Sequence, residues 1–363
     1  MQLTNNIQGL FISLLLLVSI MSCDSNGESN SSATMQNARG EDGEIILVMA
    51  PDQWNGALGQ QVKDLFRANV EAIPQDEPLY DIKRTDPSKF NSVLKASKNL
   101  MFVATLDNNS AEGKRLKKYF TDNSIEQIKN NPDIFSFNQE DVYAKGQEVL
   151  YLFGRTEEEL MKNIEENKEK IQQFFNKVEE ERMVEKIKKS TSKGVMNYLS
   201  SNLGLDMVIP YGFDLAVKDE NHAWIRKLDQ REELNIWVVK MPFNDESVFD
   251  PANLKSLRNE LGRKYITDKD NDSLYITTQD QMNLVIDTVN LNGNFALQTK
   301  GLWKYSDNSR GGAFVSYLFA NEQSGDLYYV EGYLDNPGKD KREPMRKLEA
   351  ILSTADIPDT IND

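Results

Sequence analysis

Cysteine and histidine are almost missing from this chain: its 363 residues contain one of each, Cys23 and His222. A single cysteine leaves no intramolecular disulfide, and a single histidine excludes any site built from two imidazoles. A Ser-His-Asp arrangement would have to use His222, and no Gly-x-Ser-x-Gly elbow occurs to serve it. His222 therefore reads as a strand residue near a sheet end. Phosphate-binding loops are lacking too. Asn55-Gly56-Ala57-Leu58-Gly59 has neither a Gly-Lys-Ser/Thr ending nor Gly-x-Gly-x-x-Gly spacing, so Gly56 reads as a turn and Gly59 as a close-packing position. Long apolar runs are scarce: Phe11 to Ile20 falls short of the roughly 20 residues a spanning helix needs, and no second run is longer. Positive charge is in deficit, with 42 Lys and Arg against 57 Asp and Glu and a net charge of -15. That balance disfavours nucleic acid and anionic lipid as partners, since both call for clustered cations. No cofactor and no metal site is expected.

What is present begins with an address. FISLLLLVSI, residues 11–20, has the length of a secretory apolar core, and Ile20-Met21-Ser22-Cys23 resembles a lipobox, an aliphatic residue and two small or tolerant ones before an obligatory cysteine. Residues 1–22 then form a lipoprotein signal peptide, although they hold no Lys or Arg. The resemblance implies a diacylglyceryl thioether and an acylated, palmitate-type amino terminus on Cys23. Such a multi-chain anchor, at about 0.8 kcal/mol per buried CH₂, is effectively permanent. It also removes the thiol from catalysis. Residues 23–43, rich in Ser, Asn and Gly, are expected to form a flexible tether, and about 20 residues of such coil reach roughly 25 Å. The expected location is the cell envelope, on the outer membrane.

The folded part is expected over 44–355, as one domain or as two lobes, 44–203 and 204–355, with 356–363 as a tail. Glu44 to Met49 reads as a buried strand, Trp54 to Ala68 as a helix, Asn99 to Leu106 and Gln147 to Phe153 as strands, with short helices near 87–96 and 111–130. Thr156 to Leu203 is the longest helical signal. It opens on the capping box Thr156-Glu157-Glu158-Glu159 and carries interleaved acids and bases, the pattern of a solvated face. Beyond it, His222–Leu228 and Leu234–Met241 suggest a hairpin, Pro251–Lys264 a helix, and closely spaced strands follow to Leu334, two of them joined at Leu291-Asn292-Gly293-Asn294. Such short connections force antiparallel pairing. The expected class is α+β, with mainly antiparallel sheet, several helices and one long charged central helix.

The strings EIILVMAPDQWNGALG, AIPQDEPLYDI and KNLMFVATL, followed in order by HAWIRK, KGLWKY, RGGAFVSY and KDKREPMRKLEAIL, resemble an uncharacterised family of Bacteroidetes lipoproteins, the domain of unknown function 4837. The resemblance implies a lipid-anchored envelope protein and brings no known activity. The chain departs from it at Arg310-Gly311-Gly312-Ala313-Phe314, where the family has a Met-Gly-Gly-Pro-Phe-like string.

No residue set forms a catalytic signature. The expected function is a non-enzymatic binding or structural role toward an envelope protein or glycan. The alternative is a carboxylate-dependent hydrolase acting on envelope glycan, which needs two suitably spaced acids and no motif. The candidate recognition residues are Trp54, the rigidly framed Asp76 and Glu77 between Pro74 and Pro78, Trp224 with Arg226 on one strand face, Trp303, and Arg310 beside a possible Gly311-Gly312 anion nest.

Overall fold

A computed structural model describes residues 35–229, 233–267, 271 and 273–358. The expected signal peptide, Cys23 and the first part of the expected tether lie outside the described residues. Among the described residues no helix is long and apolar enough to cross a membrane. The end of the expected tether, residues 35–43, is laid against the fold. Ala38 N donates to Lys145 O at 2.9 Å, Arg39 N donates to Ala96 O at 2.7 Å, and Asp42 pairs with Lys98 and Lys186. Backbone pairing and ion pairs anchor a stretch whose composition alone reads as coil.

The chain is α+β, with two sheets. The smaller has the order β2-β1-β3-β5-β4, from β1 (Glu44–Met49), β2 (Asp81–Thr85), β3 (Asn99–Thr105), β4 (Ser136–Glu140) and β5 (Glu148–Gly154). Its first four strands in that order run parallel, and β4 is antiparallel to β5. Parallel pairing needs crossovers, which are α1 (Pro51–Trp54) and α2 (Ala57–Phe66), α3 (Ser92–Lys95), and α4 (Ala111–Lys117) with α5 (Asp122–Asn130). A parallel sheet covered on both faces demands continuous apolar strands. Accordingly Ile45, Leu47 and Met49 face one core with Leu58 and Phe66, while Ile46 and Val48 face the other with Phe102, Leu116 and Tyr151. Gly59 is a close-packing position, because a Cβ there would run into Trp54 O.

The expected central helix is interrupted. α6 (Glu157–Glu166) ends at Asn167, α7 (Lys168–Lys188) follows, and α8 (Lys193–Tyr198) continues into a π turn at Leu199–Leu203. Thr156 caps α6, its Oγ1 accepting from Glu159 N at 3.3 Å. Asn167 breaks the run at φ -126°, its side chain donating to Asn163 O at 2.9 Å, an alternative to continued helix. The second interruption arises because the strand-like segment 209–211 takes over the backbone: Ser192 N donates to Ile209 O and Tyr211 N to Ser190 O. α7 serves both sheets. Ile171 and Phe175 belong to a core of the small sheet, and Ile187, with Met183 against it, belongs to a core of the large one.

The larger sheet is antiparallel, ordered β10-β11-β12-β13-β8-β7-β6, with β9 also paired to β11. Its strands are β6 (Asp214–Lys218), β7 (His222–Leu228), β8 (Glu233–Pro242), β9 (Ile276–Thr278), β10 (Val285–Leu291), β11 (Asn294–Tyr305), β12 (Gly311–Asn321) and β13 (Asp326–Asp335). The β7–β8 hairpin and the Asn292-Gly293 turn form as expected; φ is 50° at Asn292 and 95° at Gly293, the double positive φ of a type I′ turn. Alternation sends Ile236 and Val238 to one face under α10 (Arg342–Leu352), and Trp237 and Val239 to the other under α9 (Pro251–Tyr265).

Candidate functional site

Several of the sequence-derived candidates are committed to the architecture. Glu77 is buried and reaches across to α10: its Oε1 accepts from Lys341 N at 2.7 Å and its Oε2 from Arg342 N at 2.9 Å. It is an N-terminal cap supplied by a distant loop, where a carboxylate also meets the positive end of the helix dipole. Arg342 and Arg346 return the connection by donating to Pro78 O and Leu79 O. Asp76 beside it is exposed, and accepts from Asn69 Nδ2 at 2.8 Å. Trp303 is buried, its Nε1 donating to Leu334 O at 3.1 Å. Gly312 makes that bond possible, since a Cβ there would run into Leu334 O and come within 2.9 Å of Trp303 Nε1. Gly311 and Gly312 are therefore strand residues of β12, and they make no anion nest. Arg310 is exposed and pairs with Asp335 at 3.1 Å.

Trp224 and Arg226 do share a strand face, with the guanidinium 5.2 Å from the ring centroid, but Trp224 is buried and donates from Nε1 to Asn235 Oδ1 at 3.0 Å. Trp54 is half-buried under Lys63, whose Nζ lies 4.1 Å from its ring. His222 sits at the start of β7, 2 % exposed and tilted against Tyr265, and burial pushes its pKa down to about 4. Among the described residues its Nε2 has no hydrogen-bond partner.

Two polar clusters are internal. On the α9 side, Arg258 pairs bidentately with Glu331 at 2.8 and 2.7 Å, lies 3.8 Å from the Phe314 ring centroid and donates to Thr278 Oγ1, while Tyr329 OH donates to Glu331. With the pair only 2 % and 0 % exposed, it is closed to ligands. At the start of β5, burial and the facing Glu140 hold the Glu148 carboxyl up at about 7. Among the described residues no group of three or more His, Cys, Asp or Glu is arranged to hold a metal.

A cavity of about 610 Å³ opens at one end of the large sheet, where three connections meet the segment that follows α10. Phe243 follows β8 and is fixed by its N–H donating to Gly325 O at 2.8 Å. Phe249 closes a 3₁₀ turn, Glu246–Phe249, that the Asp245 side chain caps by accepting from Ser247 N at 2.7 Å; hydrogen bonding from the Ser247 side chain, and then from its N–H, holds the Asp245 pKa below the ordinary carboxylate value. Phe295 stands on β11 just after the I′ turn, 54 % exposed. Its ring lies 5.3 Å from Phe249 at 87°, and Phe249 lies 6.0 Å from Phe243. The β12–β13 turn supplies Asn321, Glu322 and Gln323, with Asn321 Oδ1 accepting from Gln323 N and Ser324 N. Ile357 and Pro358 form the remaining wall, and Asn292 Nδ2 ties that segment to the hairpin by donating to Ser353 O and Ala355 O.

The cleft thus combines three tilted phenyl rings, a rim of carboxamides and two exposed carboxylates, Glu246 and Glu322. Its volume falls in the range of about 300–1,000 Å³ typical of ligand sites. None of Trp54, Asp76, Glu77, Trp224, Arg226, Trp303 and Arg310 lines it. Sequence reasoning passed over its rings because Phe243, Phe249 and Phe295 sit on separate segments with no common period. The available signal was Phe295, a large apolar residue directly after a hairpin turn.

Two family profiles match the chain, both of them domains of unknown function: DUF8532 over residues 38–188 and DUF4837 over residues 192–354. No curated protein matches it. Among solved structures, the Saccharomyces cerevisiae Ran-binding protein Mog1p is similar at 12 % identity and a TM-score of 0.29, over 43 % of this chain and 92 % of that one. A mutant of protein Mog1 aligns over the same shares at 15 % identity and a TM-score of 0.29. A protein from Bacteroides thetaiotaomicron aligns at 13 % identity and a TM-score of 0.26, over 45 % of this chain and 48 % of that one.

Proposed function

We propose that this chain is a lipid-anchored cell-envelope protein, held to the outer membrane through Cys23, whose role is non-enzymatic binding of an envelope protein or glycan at the Phe243–Phe249–Phe295 cleft. The anchor rests on the lipobox-like Ile20-Met21-Ser22-Cys23 after a secretory apolar run. The binding role rests on one observation: Phe295 stays 54 % exposed at the mouth of a formed cavity, edge-on to Phe249. An exposed aromatic beside a cavity marks a recognition surface more strongly than scattered surface apolar residues do.

The hydrolase reading is less well supported. A glycoside-cleaving acid must hold its proton near neutrality, which takes desolvation or a close like charge. Glu246 and Glu322 both lie exposed on the rim, and the carboxyl held at about 7, Glu148, belongs to the small sheet outside the cleft.

The test places a photo-crosslinking phenylalanine analogue at residue 295 in intact cells. A defined adduct is expected that disappears with Phe249→Ala and is absent when the analogue replaces Val93, which is 77 % exposed but outside the cleft. Identical adducts from residues 295 and 93 would overturn the binding role. In the same cells Cys23→Ala should move the protein to the soluble fraction and abolish fatty-acid labelling; retained labelling would remove the anchor.

A further inference from the structure

The lining of the cleft carries a charge pattern that narrows its ligand. It holds three aromatic rings, two carboxylates and three carboxamides, and neither a lysine nor an arginine is among its lining residues. Building on the reading of the cleft as the binding site, we propose that it receives a cationic side chain, a lysine or arginine on a basic polypeptide segment of the partner. The ring faces of Phe243, Phe249 and Phe295 present negative quadrupole potential, and a cation over such a face is attracted, more so as water is displaced. Glu246 and Glu322, both exposed at the rim, set opposite charge beside an ammonium or guanidinium head held there, while its aliphatic stem packs on phenyl carbon. The carboxamides Asn294 and Gln323 offer acceptors to the remaining N–H groups, Asn321 Oδ1 being taken by the turn amides. Among the described lining residues an anionic ligand would meet two carboxylates and no cationic side chain.

Charge alone is not the discriminator. A chain of net charge -15 attracts any polycation weakly and diffusely. Dependence on a neutral ring separates the cleft from that background, because removing Phe295 leaves every surface charge in place.

The experiment titrates the purified full chain with pentalysine, pentaglutamine and a neutral chito-oligosaccharide, at about 0.15 M salt where long-range attraction is screened beyond roughly 8 Å. Pentalysine is expected to bind, weakening about tenfold in Phe295→Ala and about fivefold in Glu322→Gln, while pentaglutamine does not bind. Both residues are exposed, and thermal melting of each variant should match the parent. Pentalysine binding unchanged by Phe295→Ala would overturn the cationic assignment as mere polyelectrolyte attraction. Phe295-dependent binding of the oligosaccharide without pentalysine would overturn it while leaving the cleft as the binding site. The residue 295 crosslink reports on the site whatever the ligand class, so the two failures are distinguishable.

Discussion

Removing the Glu77 carboxylate should destabilise the whole fold, although the residue sits in a surface-adjacent loop rich in proline. Its two oxygens accept from Lys341 N and Arg342 N at 2.7 and 2.9 Å, in a site where Glu77 is 7 % exposed and the Lys341 residue 5 %. Hydrogen bonds to a charged partner contribute about 1.5–3 kcal/mol each, and the helix dipole adds about 0.3–1 kcal/mol. Glu77→Ala strands both amides at the head of α10, so a loss of about 3–5 kcal/mol is expected after partial rescue by entering water. Glu77→Gln keeps one acceptor and should cost about half as much. Urea unfolding followed by tryptophan fluorescence gives the total. Amide exchange locates it: acceleration should concentrate at Lys341, Arg342 and residues 69–82, since Gln75 also bonds Glu77 and Lys339 O. A Glu77→Ala midpoint equal to the parent's, or exchange at Lys341 and Arg342 accelerated no more than across the two sheets, would refute the cap.

Gly312→Ala should cost about 2–4 kcal/mol by displacing Leu334 O and the Trp303 indole, whereas Gly194→Ala, with nothing within 4 Å and helical backbone, should be neutral or stabilising; melting temperatures decide between them. Two buried groups give opposite pH dependence. His222 is held neutral down to about 4, below its ordinary 6.5, so the unfolded chain binds the extra proton first, and its stability contribution, complete above 6.5, falls as pH drops toward 4. Between pH 7 and 5 this should cost the parent about 2 kcal/mol that His222→Phe does not lose. Glu148 is held protonated up to about 7 against an ordinary 4.5, so the folded chain binds the extra proton and stability falls as pH rises through that window. Discounted for its partial exposure, the advantage of Glu148→Gln over the parent should grow by about 1–2 kcal/mol between pH 4 and 8; denaturant midpoints across pH measure both.

The apolar runs made most strands readable in the sequence. Glu44–Met49 and Asn99–Thr105 are buried on both faces and so read as unbroken aliphatic stretches, and the Asn292-Gly293 pair announced its turn. The strands that went unread, β2, β4 and β6, are short, outer members of their sheets, partly exposed and with few apolar residues to show a period. The parallel pairing of the small sheet depends on which strands become neighbours, a matter of three dimensions. The helix break at Asn167 was hidden because the charge pattern runs across it without a Gly or Pro. For the candidate site, composition picked out tryptophans, and those are core residues or half-covered. The flanking prolines single out Glu77 as a recognition candidate, whereas it caps a helix whose first residues lie 264 positions away in sequence, a contact no local pattern encodes.

One helix fixes what can be separated from what. The two family profiles part between residues 188 and 192, at the end of α7, which invites treating each half as an exchangeable module. Yet the last turns of α7, Met183 and Ile187, are lodged in the core beneath α10, while its first turns help close the parallel sheet. A scission at that seam would strip a wall from one core and leave an apolar stub on the other. Each half therefore depends on the other for a complete core, and force on either is carried to the other along α7.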